Sequence, residues 1–165
     1  MSNTLKTNRL SLQPLTTGDA VFIFELVNTS EWKTFIGNRN VNTLEDAENY
    51  IRGIISNPDV NYSVVKIDDT GESVGIITFI KRAYLPHHDI GFAFLPSYTG
   101  QGLAFEAAAL FISNLKREGI HQQLLATTLP ENTRSIKLLE RLGLKQKNEI
   151  TVGHEKLLLF EMILI

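Results

Sequence analysis

The sequence predicts a mixed α/β domain, and three observations carry that expectation. β-Branched runs at residues 62–67, 73–81 and 88–95 follow one another with short polar connections, as antiparallel strands do. Helical periods flank them, at residues 16–27 and 43–55 before and at 103–117 and 132–142 after, and the later helices alternate with further strands. No repeat, low-complexity tract or linker divides the 165 residues, so residues 1–165 are read as one domain.

Along the chain, residues 9–15 set Leu10 and Leu12 among polar neighbours until Pro14 interrupts the ladder, which reads as a first strand at a sheet edge. Thr16 with Asp19 matches a capping box, and Ala20, Ile23, Phe24 and Val27 follow at helical spacing. Thr43 and Asp46 repeat that opening before Ala47, Tyr50, Ile51, Ile54 and Ile55. The first third is therefore expected to be a strand and two helices, with Trp32, Phe35 and Ile36 packed between them. Residues 68–71 have the composition of a turn, and Pro96 ends the strand at 88–95. From 103 to 117, Ala104, Ala108, Phe111 and Leu115 share a stripe; Lys116 and Arg117 suit the negative end of the helix, and Gly119 closes it. Residues 122–127 form a short strand, and 132–142 a helix with Ile136, Leu139 and Leu142 on one side and Gly143 as its stop. The apolar tail at 155–165 is read as a buried strand, with one or two strands closing the chain; it can pair across subunits of a homodimer or stay within one chain.

Composition narrows the function. Apolar residues at 43% and charged residues at 21% exclude a disordered chain and a membrane bundle. Sixteen basic against eighteen acidic residues give a net charge of −2, without the basic excess that phosphate-backbone binding requires, so no nucleic acid partner is expected. With 0 Cys there is no disulfide framework, thiolate metal site or cysteine nucleophile. The opening MSNTLKTNRLSLQPL lacks the apolar core of a signal peptide, and no run reaches the length of a membrane span. A cytoplasmic location without a membrane partner is expected.

The stretch richest in chemistry runs from Phe92 to Ala104, where a strand, a Gly-bearing loop and a helix follow in immediate succession. The first N–H groups of a helix have no intrahelical partner and, with the positive end of the dipole, suit a phosphate or pyrophosphate. Gly100 and Gly102 permit positive φ and close approach, and Ala104 keeps the first turn small. No Lys-Ser or Lys-Thr follows, which excludes a P-loop; Phe105 fills the third small position of a dinucleotide fingerprint, which excludes that as well. Taken alone, the loop reads equally as a phosphate cradle or as a tight turn whose glycines serve only the backbone.

LPSYTGQGLAFEA followed by LPENTRSIKLLERLGL resembles the Gcn5-related N-acetyltransferase (GNAT) superfamily, and within it the RimJ/RimL-type branch of ribosomal-protein N-terminal acetyltransferases. The family loop, Arg/Gln-x-x-Gly-x-Gly/Ala, is matched at Gly102 and Ala104, with Thr99 at the position of Arg or Gln. TNRLSLQPL resembles the family's first strand and HHDIGFAFLP its fourth, so the resemblance covers nearly the whole chain. It implies the acyltransferase fold, a mixed and mostly antiparallel sheet flanked by helices, and acetyl transfer from acetyl-CoA to an amine in one ternary complex. It implies that Thr99, Gly100, Gln101, Gly102, Leu103 and Ala104 hold the pyrophosphate. Phe94 and Leu95 then lie against the pantetheine arm, with a strand N–H aimed at the thioester oxygen. Asn132 would bond the arm besides capping its helix, and Ser135 would protonate the departing thiolate. Tyr98 would flank the cofactor or pack the loop. Glu106 is read as structural, since a carboxylate facing forward would repel pyrophosphate, and Arg134 as a solvated helix residue.

The base is chosen on chemistry. An α-amine with pKa about 8 is roughly a tenth free at pH 7, whereas Lys is only about 0.04% free, so an α-amine asks little of its base. Asp89, on the same strand face as Gly91, is the first candidate, set against a plain strand-end carboxylate in solvent; His87 and His88 are alternatives by intrinsic pKa. Adjacent strand residues face opposite ways, so the His-His-Asp run is not read as a metal site, and no metal is expected. The acceptor is expected opposite the arm, between the first helices and the last hairpin, with Trp32, Phe35 and Tyr50 as either lining or core. A peptide N-terminal amine is the favoured acceptor. A small amine (polyamine, antibiotic or amino acid), a non-catalytic acetyl-CoA sensor and a nucleotide-binding regulator are the rivals.

Overall fold

Alternation of Leu10 and Leu12 with polar neighbours turns one side of that strand towards a core, and the computed structural model, which describes residues 4–165, builds it as β2, Leu10–Pro14. A two-residue strand, β1 (Leu5–Lys6), pairs outside it, so β2 is not the edge the sequence suggested. Two helices were expected next and three form. α1 (Ala20–Val27) follows a single 3-10 turn, α2 spans Ser30–Phe35, and α3 spans Leu44–Ile55. The extra helix has its own cap, since Thr29 Oγ1 accepts the Trp32 N–H at 3.2 Å. One turn of helix points Trp32 inward and leaves Phe35 half-buried, while Ile36 is 41% exposed and does not pack as expected.

The remaining elements are β3 (Val60–Ile67), β4 (Ser73–Ile80), β5 (Asp89–Phe94), α4 (Leu103–Glu118), β6 (Gln123–Thr128), α5 (Thr133–Leu142), β7 (Lys145–Val152) and β8 (Glu155–Ile163). They form one eight-stranded sheet in the order β1-β2-β3-β4-β5-β6-β8-β7, antiparallel except between β5 and β6, which α4 connects as a crossover. The apolar tail sits inside the sheet, with β6 on one side of β8 and β7 on the other, so both its edges are used within the chain.

Each face of the sheet has its own core. Leu10, Leu12, Ile77, Phe79 and Ile90 pack with α4 and α5 through Ala107, Ala108, Phe111, Leu115 and Leu139. Val64, Ile76 and Leu95 pack with α1–α3 through Ile23, Leu26, Trp32, Ala47 and Ile51. Among the described residues no helix is long and apolar enough to cross a membrane.

Candidate active site

Strand pairing creates the site by stopping. Along its β4 edge β5 pairs at all six residues, from Gly75↔Phe94 to Ile80↔Asp89. Along its β6 edge it pairs only at Asp89↔Leu125, where the Leu125 N–H donates to the His88 carbonyl at 3.0 Å. Beyond that point the two strands part. Backbone groups alternate sides along a strand, so the bond at His88 turns the N–H and C=O of Phe92 and Phe94 towards the gap. Leu95 has the opposite sense. Its N–H donates to the Val74 carbonyl at 2.9 Å and its carbonyl accepts from the Tyr98 N–H at 2.9 Å, so of the two residues predicted to meet an extended ligand, Phe94 offers its backbone and Leu95 does not. Phe92 was missed, although the two-residue period that placed Phe94 places it equally.

The open end of the wedge lies between two helix starts. On the β5 side, Gly100 and Gly102 take φ of +80° and +78°, the left-handed region that only glycine enters cheaply. Among the described residues the N–H groups of Gly100, Gln101, Gly102, Leu103, Ala104 and Phe105 find no backbone acceptor, and that of Glu106 closes the first helical turn on the Gly102 carbonyl at 3.0 Å. The side chains in this loop fold back on it. Thr99 Oγ1 donates to the Pro96 carbonyl at 2.8 Å and Gln101 Nε2 to the Ser97 carbonyl at 3.2 Å. What the loop presents is therefore its amides. Such a cradle holds an anion through N–H groups and the helix dipole.

On the β6 side, Asn132 caps α5, its Oδ1 accepting the Ser135 N–H at 3.2 Å. That leaves the Nδ2 amide free of the cap. Arg134 is exposed, as expected of a solvated helix residue. Glu106 is held from the other direction. Arg9 Nε donates to its Oε1 at 2.9 Å, Arg9 Nη2 stands 2.7 Å from the same oxygen, and Thr7 Oγ1 donates to Oε2. Partial burial pushes the Glu106 carboxyl up, but the bonds from Thr7 and Arg9 outweigh it and hold it below the ordinary glutamate range. Arg9 Nη1 also reaches the Gln101 carbonyl at 3.4 Å, tying β2 to the loop.

Asp89 lies at the apex of the wedge and is only 3% exposed, not the solvent carboxylate a strand end suggests. Arg82 Nε donates to its Oδ2 at 2.8 Å, while Oδ1 is buried without a partner. Burial pushes this carboxyl above the ordinary aspartate range, and the charge and hydrogen bond of Arg82 only partly offset that. Arg82 was not singled out in the sequence, because a basic residue after a strand carries no spacing signal and the pair closes only when β4 and β5 align. On the same sheet face, Tyr62, Thr78 and Gly91 stand in one cross-strand row, and a Cβ on Gly91 would meet Thr78 Oγ1 at 2.5 Å. The Tyr62 and Tyr50 hydroxyls lie 3.1 Å apart, so Tyr50 joins this row as well as the core.

His88 is turned to the other face. It stacks on Phe79 at 4.5 Å between centroids and meets His121 edge-on at 4.7 Å. Burial, with His121 next in weight, lowers its pKa. Among the described residues no group of three or more His, Cys, Asp or Glu side chains could hold a metal ion. A cavity of about 460 Å³ opens beside α1, lined by Asp19, Glu25, Lys66, Glu72, Leu95 and Tyr98, with the Tyr98 hydroxyl donating to Glu72. It sits on the α1 side of the loop and not in the wedge.

The chain matches the acetyltransferase (GNAT) domain family over residues 9–145, and belongs to that family. It is 26% identical over 144 residues, covering 87% of this chain and 83% of the relative, to the uncharacterized N-acetyltransferase YnaD of Bacillus subtilis (strain 168). Its fold is also that of RimL, the ribosomal L7/L12 alpha-N-protein acetyltransferase, in complex with coenzyme A (TM-score 0.85, 14% identity, 98% of each chain). The aminoglycoside acetyltransferase AAC(6')-Ib in complex with coenzyme A shares it too (TM-score 0.79, 17% identity, 93% of this chain and 94% of that one).

Proposed function

We propose that this GNAT acetyltransferase moves the acetyl group of acetyl-CoA directly to the α-amine of a peptide or protein N-terminus. Dependence on acetyl-CoA is the chemistry of the family; the acceptor and the residue roles are our reading. One observation carries that reading: the β5 edge left unpaired beyond Asp89, with free amides at its far end. The amides of Gly100, Gln101, Gly102, Leu103 and Ala104 bind the pyrophosphate, and the Thr99 side chain takes no part because Pro96 occupies it. The pantetheine arm pairs with Phe92 and Phe94 as a short added strand, Leu95 supporting it by packing alone. A β5 N–H donates to the thioester oxygen and stabilises the charge that grows there. Asn132 bonds the arm through Nδ2, and Ser135 returns a proton to the leaving thiolate.

Asp89 removes the proton from the amine as it attacks. With Oδ2 fixed by Arg82, Oδ1 is the basic atom, and the upward shift of the carboxyl brings its proton affinity nearer that of the amine. The proton reaches Oδ1 through one water that enters with the acceptor and gives this buried oxygen the partner it lacks. An α-amine needs only this much help, since about a tenth of it is already free at pH 7.

A thiol-release assay with acetyl-CoA and a panel of N-terminal peptides, polyamines, aminoglycosides and amino acids tests the acceptor. Turnover of peptides above every small amine is expected. Rapid turnover of a small amine with none of the peptides would overturn it. Saturable coenzyme A binding in calorimetry without thiol release anywhere on the panel would mark a sensor instead.

A further inference from the structure

The α1–α3 face of the sheet beside Gly91 holds polar atoms that the transfer chemistry leaves uncommitted. The Tyr50 and Tyr62 hydroxyls share one hydrogen bond, so at least one of them keeps capacity for another partner. Arg82 spends its Nε on Asp89 Oδ2, and among the described residues its two Nη groups have no acceptor. Arg39 lies in the α2–α3 loop with its guanidinium 6.0 Å from the Trp32 ring centre. Trp32, Tyr50 and Tyr62 belong to one packed cluster on this face, which brings Arg39 to the side of the tyrosine pair, and Arg39 and Arg82 both act on Tyr62 electrostatically. Arg82 and Asp89 cancel, so Arg39 leaves this corner with an excess positive charge. In the same cluster, Trp32 is 3% exposed and its Nε1 donor is buried without a partner. A buried donor without a partner is expensive, and Arg39 is the charged group beside this one.

Distance makes this a place for part of an acceptor. Tyr62, Thr78 and Gly91 lie on adjacent strands, so Tyr62 stands two strand spacings, about 10 Å, from the β5 backbone. That is the span from an α-amine to a carboxylate on the second or third residue of a peptide. The competing acidic corner, with Asp19, Glu25 and Glu72, is near Leu95, about 13 Å along β5 from Gly91 and at the phosphate end.

Building on the peptide-acceptor reading above, we propose that Arg39, Arg82, Tyr50 and Tyr62 form an anion subsite that selects N-termini with Asp or Glu as the second or third residue. Peptides identical except for Glu, Gln or Lys at those positions test it, by thiol release and by titration against the enzyme with coenzyme A bound. Arg82 is left intact because Asp89 depends on it; Arg39→Gln and Arg39→Glu alter the exposed partner.

The wild-type protein should prefer Glu to Gln by about tenfold in kcat/KM at low salt, and Lys should be the poorest. Arg39→Gln should bring Glu and Gln peptides within about threefold, and Arg39→Glu should favour Lys. Peptides acetylated without regard to this charge, or best with Lys, would overturn the subsite while leaving the peptide reading standing. If no peptide turned over but small amines bearing a carboxylate outran their amides and lost that advantage in Arg39→Gln, the peptide reading would fall and the subsite would hold. If nothing turned over, the titration decides: a Glu preference lost in Arg39→Gln supports the subsite, and equal or absent binding overturns it.

Discussion

Arg9 and Arg82 each give an Nε–H to a carboxylate, at 2.9 Å to Glu106 and at 2.8 Å to Asp89, yet the two carboxyls shift in opposite directions. Geometry is nearly the same; solvent is not. Arg9 and Glu106 are 50% and 26% exposed at their side chains, and water shares the solvation of both charges. Asp89 is 4% exposed at its side chain, and there the loss of water outweighs the arginine. The outer pair ties β2 to the loop that offers its amides, whereas the inner pair holds a carboxylate in a poorly solvated corner. An ion pair is thus a tether in one place and a tuning element in the other.

The largest expected effect comes from breaking the inner pair. Arg82→Gln leaves a buried carboxylate uncompensated and should lower unfolding stability by about 3–5 kcal/mol, measured by urea denaturation. Arg82→Gln combined with Asp89→Asn should recover most of that loss, because the charge needing compensation is gone. Equal losses in the single and double variants would mean that Arg82 matters through packing instead.

Next in size is the loop that the outer pair supports. Gly102→Ala forces an L-residue to φ near +78° and should cost about 1–3 kcal/mol in stability, with a weaker heat of coenzyme A binding in calorimetry. A Cβ there has room, with Arg9 Nη2 the nearest atom at 3.8 Å, so unchanged stability would mean that the backbone relaxes without strain.

The smallest effect belongs to the outer pair. Arg9→Gln should cost at most about 1 kcal/mol near neutral pH, and its more telling mark is in acid. Glu106 has a folded pKa below its unfolded value, so its contribution is present above the ordinary glutamate range and is lost as pH falls through the folded value. Asp89 has the reverse slope. Its folded pKa is raised, so the folded state holds a proton longer than the unfolded one, and stability declines as pH rises from the ordinary aspartate range through the raised value. Stability curves from pH 2 to 7 should therefore show Arg9→Gln losing less on acidification than the parent. Parallel curves would remove the distinction between the two pairs.

Much of this was legible in the chain because it is local. Helix caps at Thr43 and Asn132, the glycines at 100 and 102 and the stops at Gly119 and Gly143 all depend on residues a few positions apart. Family motifs share that property, which is why LPSYTGQGLAFEA pointed to the GNAT fold before any strand was paired. The short helix at Ser30–Phe35 escaped because six residues give too little period to register, and only its Thr29 cap betrays it.

By itself the sequence determined most of the elements and the loop whose amides stand free, since propensity, capping and turn chemistry act between near neighbours. Tertiary structure alone decided which strand edges stay open and which charges are paired. Whether β5 lets go of β6 after Asp89, and whether water reaches Asp89, depend on residues far apart in the chain that meet only when the sheet closes. Desolvation is a property of everything packed around a group, and no spacing along a chain encodes it.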